Sequence, residues 1–166
     1  MLKFKHSTLI VVAGLIWMAV GVYLLNMGLR LISEKALQHM AEVHPTSLLS
    51  YLAAFAGGIQ EASVVLIALA MLIGYFKGRY VLAKTVHRMV ARIREMPSPV
   101  ALHRIYGARF YVLIAIMMGL GMLIRFFDTP ADIRGAVDVI IGSALVNGAL
   151  LYFRQAAEQP KKQAVR

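Results

Sequence analysis

Four stretches of this sequence stay apolar for about twenty residues each, the length a helix needs to cross roughly 30 Å of hydrocarbon. They cover residues 7–29 (opening STLIVVAGLIWMAV), 47–76, 109–127 and 135–153. No other feature narrows the fold as far. Of the 166 residues, 60% are hydrophobic and only 16% charged, with a mean hydropathy of +0.69. Soluble domains sit near 45–50% apolar and about 25% charged, so an ordinary soluble domain and a disordered basic tail are both excluded. The length suits a single membrane domain. The chain has no cysteine, which removes disulfides, thiolate metal sites and cysteine nucleophiles. Residues 7–29 follow Lys3 and Lys5 as a signal peptide would, but the apolar run is too long and no A-x-A-like site follows it, so the segment is expected to be retained.

Charge sets the expected orientation. The N-terminal tail, the loop between the second and third spans and the tail 154–166 carry 14 basic residues against the acids Glu95 and Glu158. The opposite side carries 4 basic residues against 6 acids. The positive-inside rule then puts both termini and the basic loop in the cytoplasm, as an even number of spans requires. The expected location is a bacterial inner membrane. Tyr75/Phe76, Phe110/Tyr111 and Tyr152/Phe153 read as an inner aromatic belt, and Phe126/Phe127 as an outer one. Residues 30–46 read as an outer amphipathic continuation of the first span, stopped by Pro45. Residues 77–99 read as a basic amphipathic cytoplasmic helix with Val86, Met89, Val90, Ile93 and Met96 on one face, ended by Pro97-Ser98-Pro99.

The chain also carries signs of an internal repeat. Gly58-x-x-Glu61 precedes Tyr75-Phe76-Lys77, and Gly135-x-x-Asp138 precedes Tyr152-Phe153-Arg154, with 14 residues from acid to tyrosine in both. Ile16, Met18 and Gly21 sit opposite Ile116, Met118 and Gly121 with weaker agreement. The expected fold is therefore an all-α integral membrane protein of four transmembrane helices, arranged as two tandem helical hairpins in a parallel repeat with both termini inside. Some transporters use such parallel halves.

Fourteen residues of helix rise about 21 Å, which places Glu61 and Asp138 at matched depth in the outer third of the core. Arg125 stands equally far from Tyr111, and Asn26, Gln60 and Asn147 are polar neighbours for such a layer. A charge at the helix centre costs about 2.5–3.5 kcal/mol on insertion scales. Two carboxylates sharing one guanidinium would leave a net −1 for a proton, cation or cationic substrate. The competing readings are a helix-locking salt-bridge layer, charges reaching the headgroups, or Arg134 pairing with Asp138 four residues on.

Glycines supply a second pattern. Gly14, Gly21 and Gly28 share one face of the first span, and Gly135, Gly142 and Ala149 one face of the fourth. Small residues permit close backbone approach, within the bundle or in a homo-oligomer. Ser143 and Asn147 read as interhelical hydrogen-bonding groups, and Trp17 as core packing. Arg79, Lys84, Arg88 and Arg92 are candidates for anionic lipid headgroups, at about 1 kcal/mol each near an anionic surface. No nucleic-acid reading motif accompanies the charge. His39 and His44, with Glu42, are five residues apart on different helix faces, so no metal site is expected, and no catalytic motif or cofactor-binding pattern occurs.

Two functional classes follow. The leading one is a small transporter or channel subunit for a cation, proton or small solute, a homo-oligomer in which Glu61 and Asp138 bind and Arg125 gates. The second is a non-catalytic accessory or scaffold protein whose basic helix binds a partner membrane protein or anionic lipid. A membrane-embedded lipid enzyme ranks third, because no nucleophile–base pair is visible.

Overall fold

The computed structural model describes residues 6–41, 47–95, 119, 126 and 129–158. Their elements are α1 (His6–Ala41), α2 (Leu48–Ala56), α3 (Ile59–Lys77), a π-helical turn (Gly78–Leu82), α4 (Ala83–Glu95) and α5 (Ala131–Ala157). No strand occurs among the described residues. Three helical stretches are long and apolar enough to cross a membrane: Ser7–Gln38, Ile59–Ile93 and Ala131–Ala157. Apart from Gly119 and Phe126, the stretch 109–127 lies outside the described residues, and so do Arg125 and the tail beyond Glu158.

Helix α1 has neither proline nor other breaker in its 36 residues, so it reaches about 54 Å and takes in much of the segment expected to lie beyond the first span. Helix α2 begins where Ser47, in extended conformation, accepts a hydrogen bond from Ser50 N at 3.2 Å, satisfying an otherwise orphaned donor of the first turn. It ends at Gly57, whose φ of 91° is left-handed and whose N–H donates to Ala53 O at 3.2 Å. Only glycine takes that conformation without a steric penalty, and the chain restarts as α3 directly afterwards. Pro130 fixes the entry to α5 and lacks the N–H that a helix start leaves unpaired.

The expected end of the second span at Tyr75-Phe76-Lys77 is not a helix end. α3 passes through the π turn into α4 as one rod, because nothing in GRYVLAK breaks a helix and charge alone does not stop one. The π turn has a packing reason. Buried or half-buried positions on this rod recur every four residues, at Ala62, Leu66, Ala70, Gly74, Gly78, Leu82, Val86 and Val90. On an α-helix a four-residue stripe drifts by about 40° per step. One turn of i→i+5 bonding takes in an extra residue and so offsets about 100° of that drift.

Helix α5 lies at the centre. Gly28 packs on Gly135, and Gly21 on Gly142, so α1 runs antiparallel to α5. Gly74 lies on Ile140 and Ser143, and Gly78 on Ala144 and Asn147, so the α3–α4 rod runs parallel to it. Two apolar clusters result. One joins Leu9, Ile10, Ala13 and Trp17 to Val86, Val90, Ile93, Leu145, Ala149 and Tyr152. The other joins Ile32 and Ala36 to Leu49, Ala62, Leu66, Ala70, Ala136 and Val139. The first marks the basic end of the bundle, where α1 starts and α5 finishes. The second marks the opposite end.

Candidate functional site

Polar groups gather at both ends of the bundle and along one flank of the α3–α4 rod. At the opposite end the most buried of them is Asp132, in the first turn of α5 and fully enclosed. One carboxylate oxygen accepts from Leu49 N at 3.0 Å, and the other from Ile133 N at 3.0 Å. Asp132 and Ser47 together satisfy donors at the start of α2, and the carboxylate also sits at the positive end of α5. It is a clamp that ties α2 to α5 across 83 residues of sequence. From the sequence Asp132 was only one of the six acids on its side. Its signal was the placement just after Thr129-Pro130, the entry to a helix.

The carboxylates expected to form a pair do not converge. Glu61 is exposed in the first turn of α3, with Oε2 folded back to within 2.5 Å of where a Cβ on Gly58 would stand. Asp138 is half-buried on the second turn of α5. Glu61 precedes Gly74 by 13 residues, or about 20 Å along α3. Asp138 lies within two turns of Ser143, the residue on which Gly74 packs. The two acids therefore differ in level by roughly 10–15 Å. The aromatic pairs diverge likewise: Tyr75 is exposed, whereas Tyr152 is fully buried and meets Trp17 edge-on at a ring separation of 5.5 Å. Equal spacing from acid to tyrosine gives equal depth only if both aromatic pairs end a helix, and the α3–α4 rod continues past its own.

The remaining polar candidates are dispersed. Gln60 is exposed, with its backbone carbonyl accepting from Ser63 Oγ at 2.7 Å, and Asn26 is exposed on α1. Asn147 Nδ2 donates to Ser143 O at 2.8 Å, and Ser143 Oγ donates to Ile140 O at 3.2 Å. These two side chains line the α3–α5 contact while bonding along their own helix. Arg134 is half-buried, one turn before Asp138. No cluster of three or more His, Asp or Glu suited to a metal occurs among the described residues.

The cations are arranged differently. Val86, Val90 and Ile93 are buried against α1 and α5, so α4 stands upright along the bundle and is not free to lie on a surface. Lys84, Arg88 and Arg92 occupy its exposed side. His87 Nδ1 lies 2.9 Å from Nε2 of the buried Gln155, joining α4 to the end of α5. This contact links residues 68 apart and left no trace in the sequence pattern. Arg154 and Glu158 approach to 3.8 Å with both side chains exposed, a geometry that contributes little. Higher on the same rod, Lys77 and Arg79 are exposed, Arg79 Nη1 lies 3.4 Å from the Tyr75 hydroxyl, and Phe76 stacks on Tyr80 at 6.2 Å.

Compared with known family models, curated proteins and solved structures, the chain matches none of them.

Proposed function

We propose that this chain is a non-catalytic scaffold of the cytoplasmic membrane, with its basic end inside the cell and α4 as a fixed contact surface for an anionic partner. The observation that carries the reading is the division of α4. Its apolar face is buried in the bundle, while Lys84, Arg88 and Arg92 face outward. A helix held in this way presents its cations at constant spacing, along about 12 Å of helix. The glycine-on-glycine contacts between α1 and α5 support the same reading, since a close-packed pair is a support more than a pathway. The level difference between Glu61 and Asp138 favours a scaffold over a transporter that needs both acids at one site.

Two measurements test the proposal. Purified protein reconstituted in vesicles is expected to give no proton or monovalent-cation flux above protein-free vesicles. Saturable flux that Glu61→Gln or Asp138→Asn abolishes would overturn the scaffold and restore the transport mechanism. In the second, Lys84→Gln/Arg88→Gln/Arg92→Gln should keep the wild-type melting temperature, because all three side chains are exposed. It should also lose on the order of tenfold or more in retention of anionic lipid or partner, at roughly 1 kcal/mol per cation.

A further inference from the structure

Lys77 and Arg79 lie deeper in the bundle than the ends of its other helices allow for headgroup contact. Gly78, between them, packs on Ala144 and Asn147. The first charged residue of α5 beyond that point is Arg154, seven to ten residues farther on, which is about 10–15 Å. On α1 the corresponding level lies between Trp17, against Gly148, and Gly21, against Val146, and the helix stays uncharged from Gly21 back to Ser7. At this depth α1 presents Leu15, Ile16, Ala19 and Val20 outward. Two cations thus project from the rod at a level where its neighbours are built for hydrocarbon.

Among the described residues no carboxylate stands at that level. Residues 7–33, 62–94, 96–127 and 139–157 contain no aspartate or glutamate. Asp138 stands about two turns toward the opposite end, and Glu158 lies beyond the last turn of α5. Unpaired cations inside a bilayer are costly, and the cost falls when the side chains snorkel or the bilayer thins to bring headgroups inward. The surroundings suit a lipid. The Arg79–Tyr75 contact holds a guanidinium and a hydroxyl side by side, two donors that fit a phosphate. Phe76 and Tyr80 stack beside them, with Ile73 exposed one turn toward the bilayer midplane for an acyl chain. A soluble acidic segment would have to enter hydrocarbon to reach the same place.

We infer that Lys77, Arg79 and the Tyr75 hydroxyl bind the phosphate of one anionic phospholipid, drawn about two helical turns deeper than the headgroups around α1 and α5, so that the leaflet is thinned along this flank. The inference rests on the chain spanning a membrane and is independent of what α4 contacts.

The absence of cysteine makes single-site spin labelling direct. Val81→Cys and, as a control of similar depth on another flank, Val20→Cys would be labelled with a nitroxide in nanodiscs of phosphatidylcholine with or without phosphatidylglycerol. The Val20 label should report hydrocarbon in both. The Val81 label should report a headgroup-like environment with phosphatidylglycerol, and revert toward hydrocarbon in Lys77→Gln/Arg79→Gln. In native mass spectrometry that double variant should retain on the order of tenfold less phosphatidylglycerol, while excess inorganic phosphate displaces none from the wild type. An unchanged melting temperature establishes that the variant is folded. Equal retention by wild type and double variant overturns the inference, as does a headgroup-like Val81 signal that persists without the two cations. So does displacement by inorganic phosphate, or co-purification of an acidic protein in place of lipid. Loss of retention in the α4 triple variant alone would leave the scaffold reading standing and this one refuted.

Discussion

At Gly28 a single hydrogen separates α1 from the backbone of α5. A Cβ placed there would stand 2.6 Å from Gly135 O and 2.8 Å from Val139 N, and one on Gly142 would stand 2.6 Å from Leu25 N. These neighbours are main-chain atoms of packed helices, so no rotamer change relieves the clash; the helices must move apart. Overpacking of this kind costs about 1–3 kcal/mol, against a gain of roughly 1 kcal/mol from replacing glycine by alanine in a helix. Gly28→Ala and Gly142→Ala should each lower the melting temperature in detergent by roughly 2–8 °C, followed by circular dichroism, whereas Ala19→Val on the exposed side of α1 should leave it unchanged. An unaltered midpoint in both glycine variants would mean that α1 and α5 do not meet along these faces. The heptad spacing of the glycines is plain in the sequence, but the helix each stripe meets is not. A small-residue stripe says that some backbone comes close and leaves open whose it is. The role of Asp132 was harder still to read, because its partner Leu49 N is a backbone donor exposed only by the local turn at Ser47.

Among the elements, the α3–α4 rod departs furthest from expectation. The amphipathic face at Val86, Val90 and Ile93 is legible from spacing, but hydropathy alone ends the span at Lys77, where apolar sequence gives way to charge. A helix continues through such a boundary unless a breaker intervenes, and the four-residue stripe that begins at Ala62 shows that packing continues too. The π turn at Gly78–Leu82 keeps that stripe facing α5. If it acts as one extra residue, deletion of the exposed Val81 should convert it to ordinary α-helix and leave Val86, Val90 and Ile93 on the same face. The deletion variant should melt within a few degrees of wild type. An alanine inserted at the same place should instead turn α4 by about 100° and carry three buried side chains out of their cluster. The midpoint should fall sharply, and hydrogen exchange across α4 should accelerate. Equal tolerance of deletion and insertion would show that the phase of α4 is not set here.

For the whole molecule, direction matters more than depth. Helix α1 runs antiparallel to α5, and the α3–α4 rod runs parallel to it. The rod therefore finishes at the basic end, while α5 starts at the opposite one, beside α2. Glu95 and Thr129 thus lie at opposite ends of the bundle, and the apolar stretch 109–127 falls between them in the sequence. With the basic end in the cytoplasm, as the charge asymmetry of the chain favours, four positions should divide cleanly between the two faces of the membrane. Single cysteines replacing Glu34 and Thr129 should react with an impermeant maleimide in intact cells. Those replacing Arg92 and Glu158 should react only after permeabilisation. The comparison of Arg92 with Thr129 is decisive, because these residues bracket that stretch. Labelling of both from one side would be incompatible with α4 and α5 lying parallel across a bilayer, and would remove the depth argument for Lys77 and Arg79. Reversed labelling of all four would keep the bundle and its lipid contact but place the cationic ladder outside the cell, away from the cytoplasmic partner the scaffold reading requires.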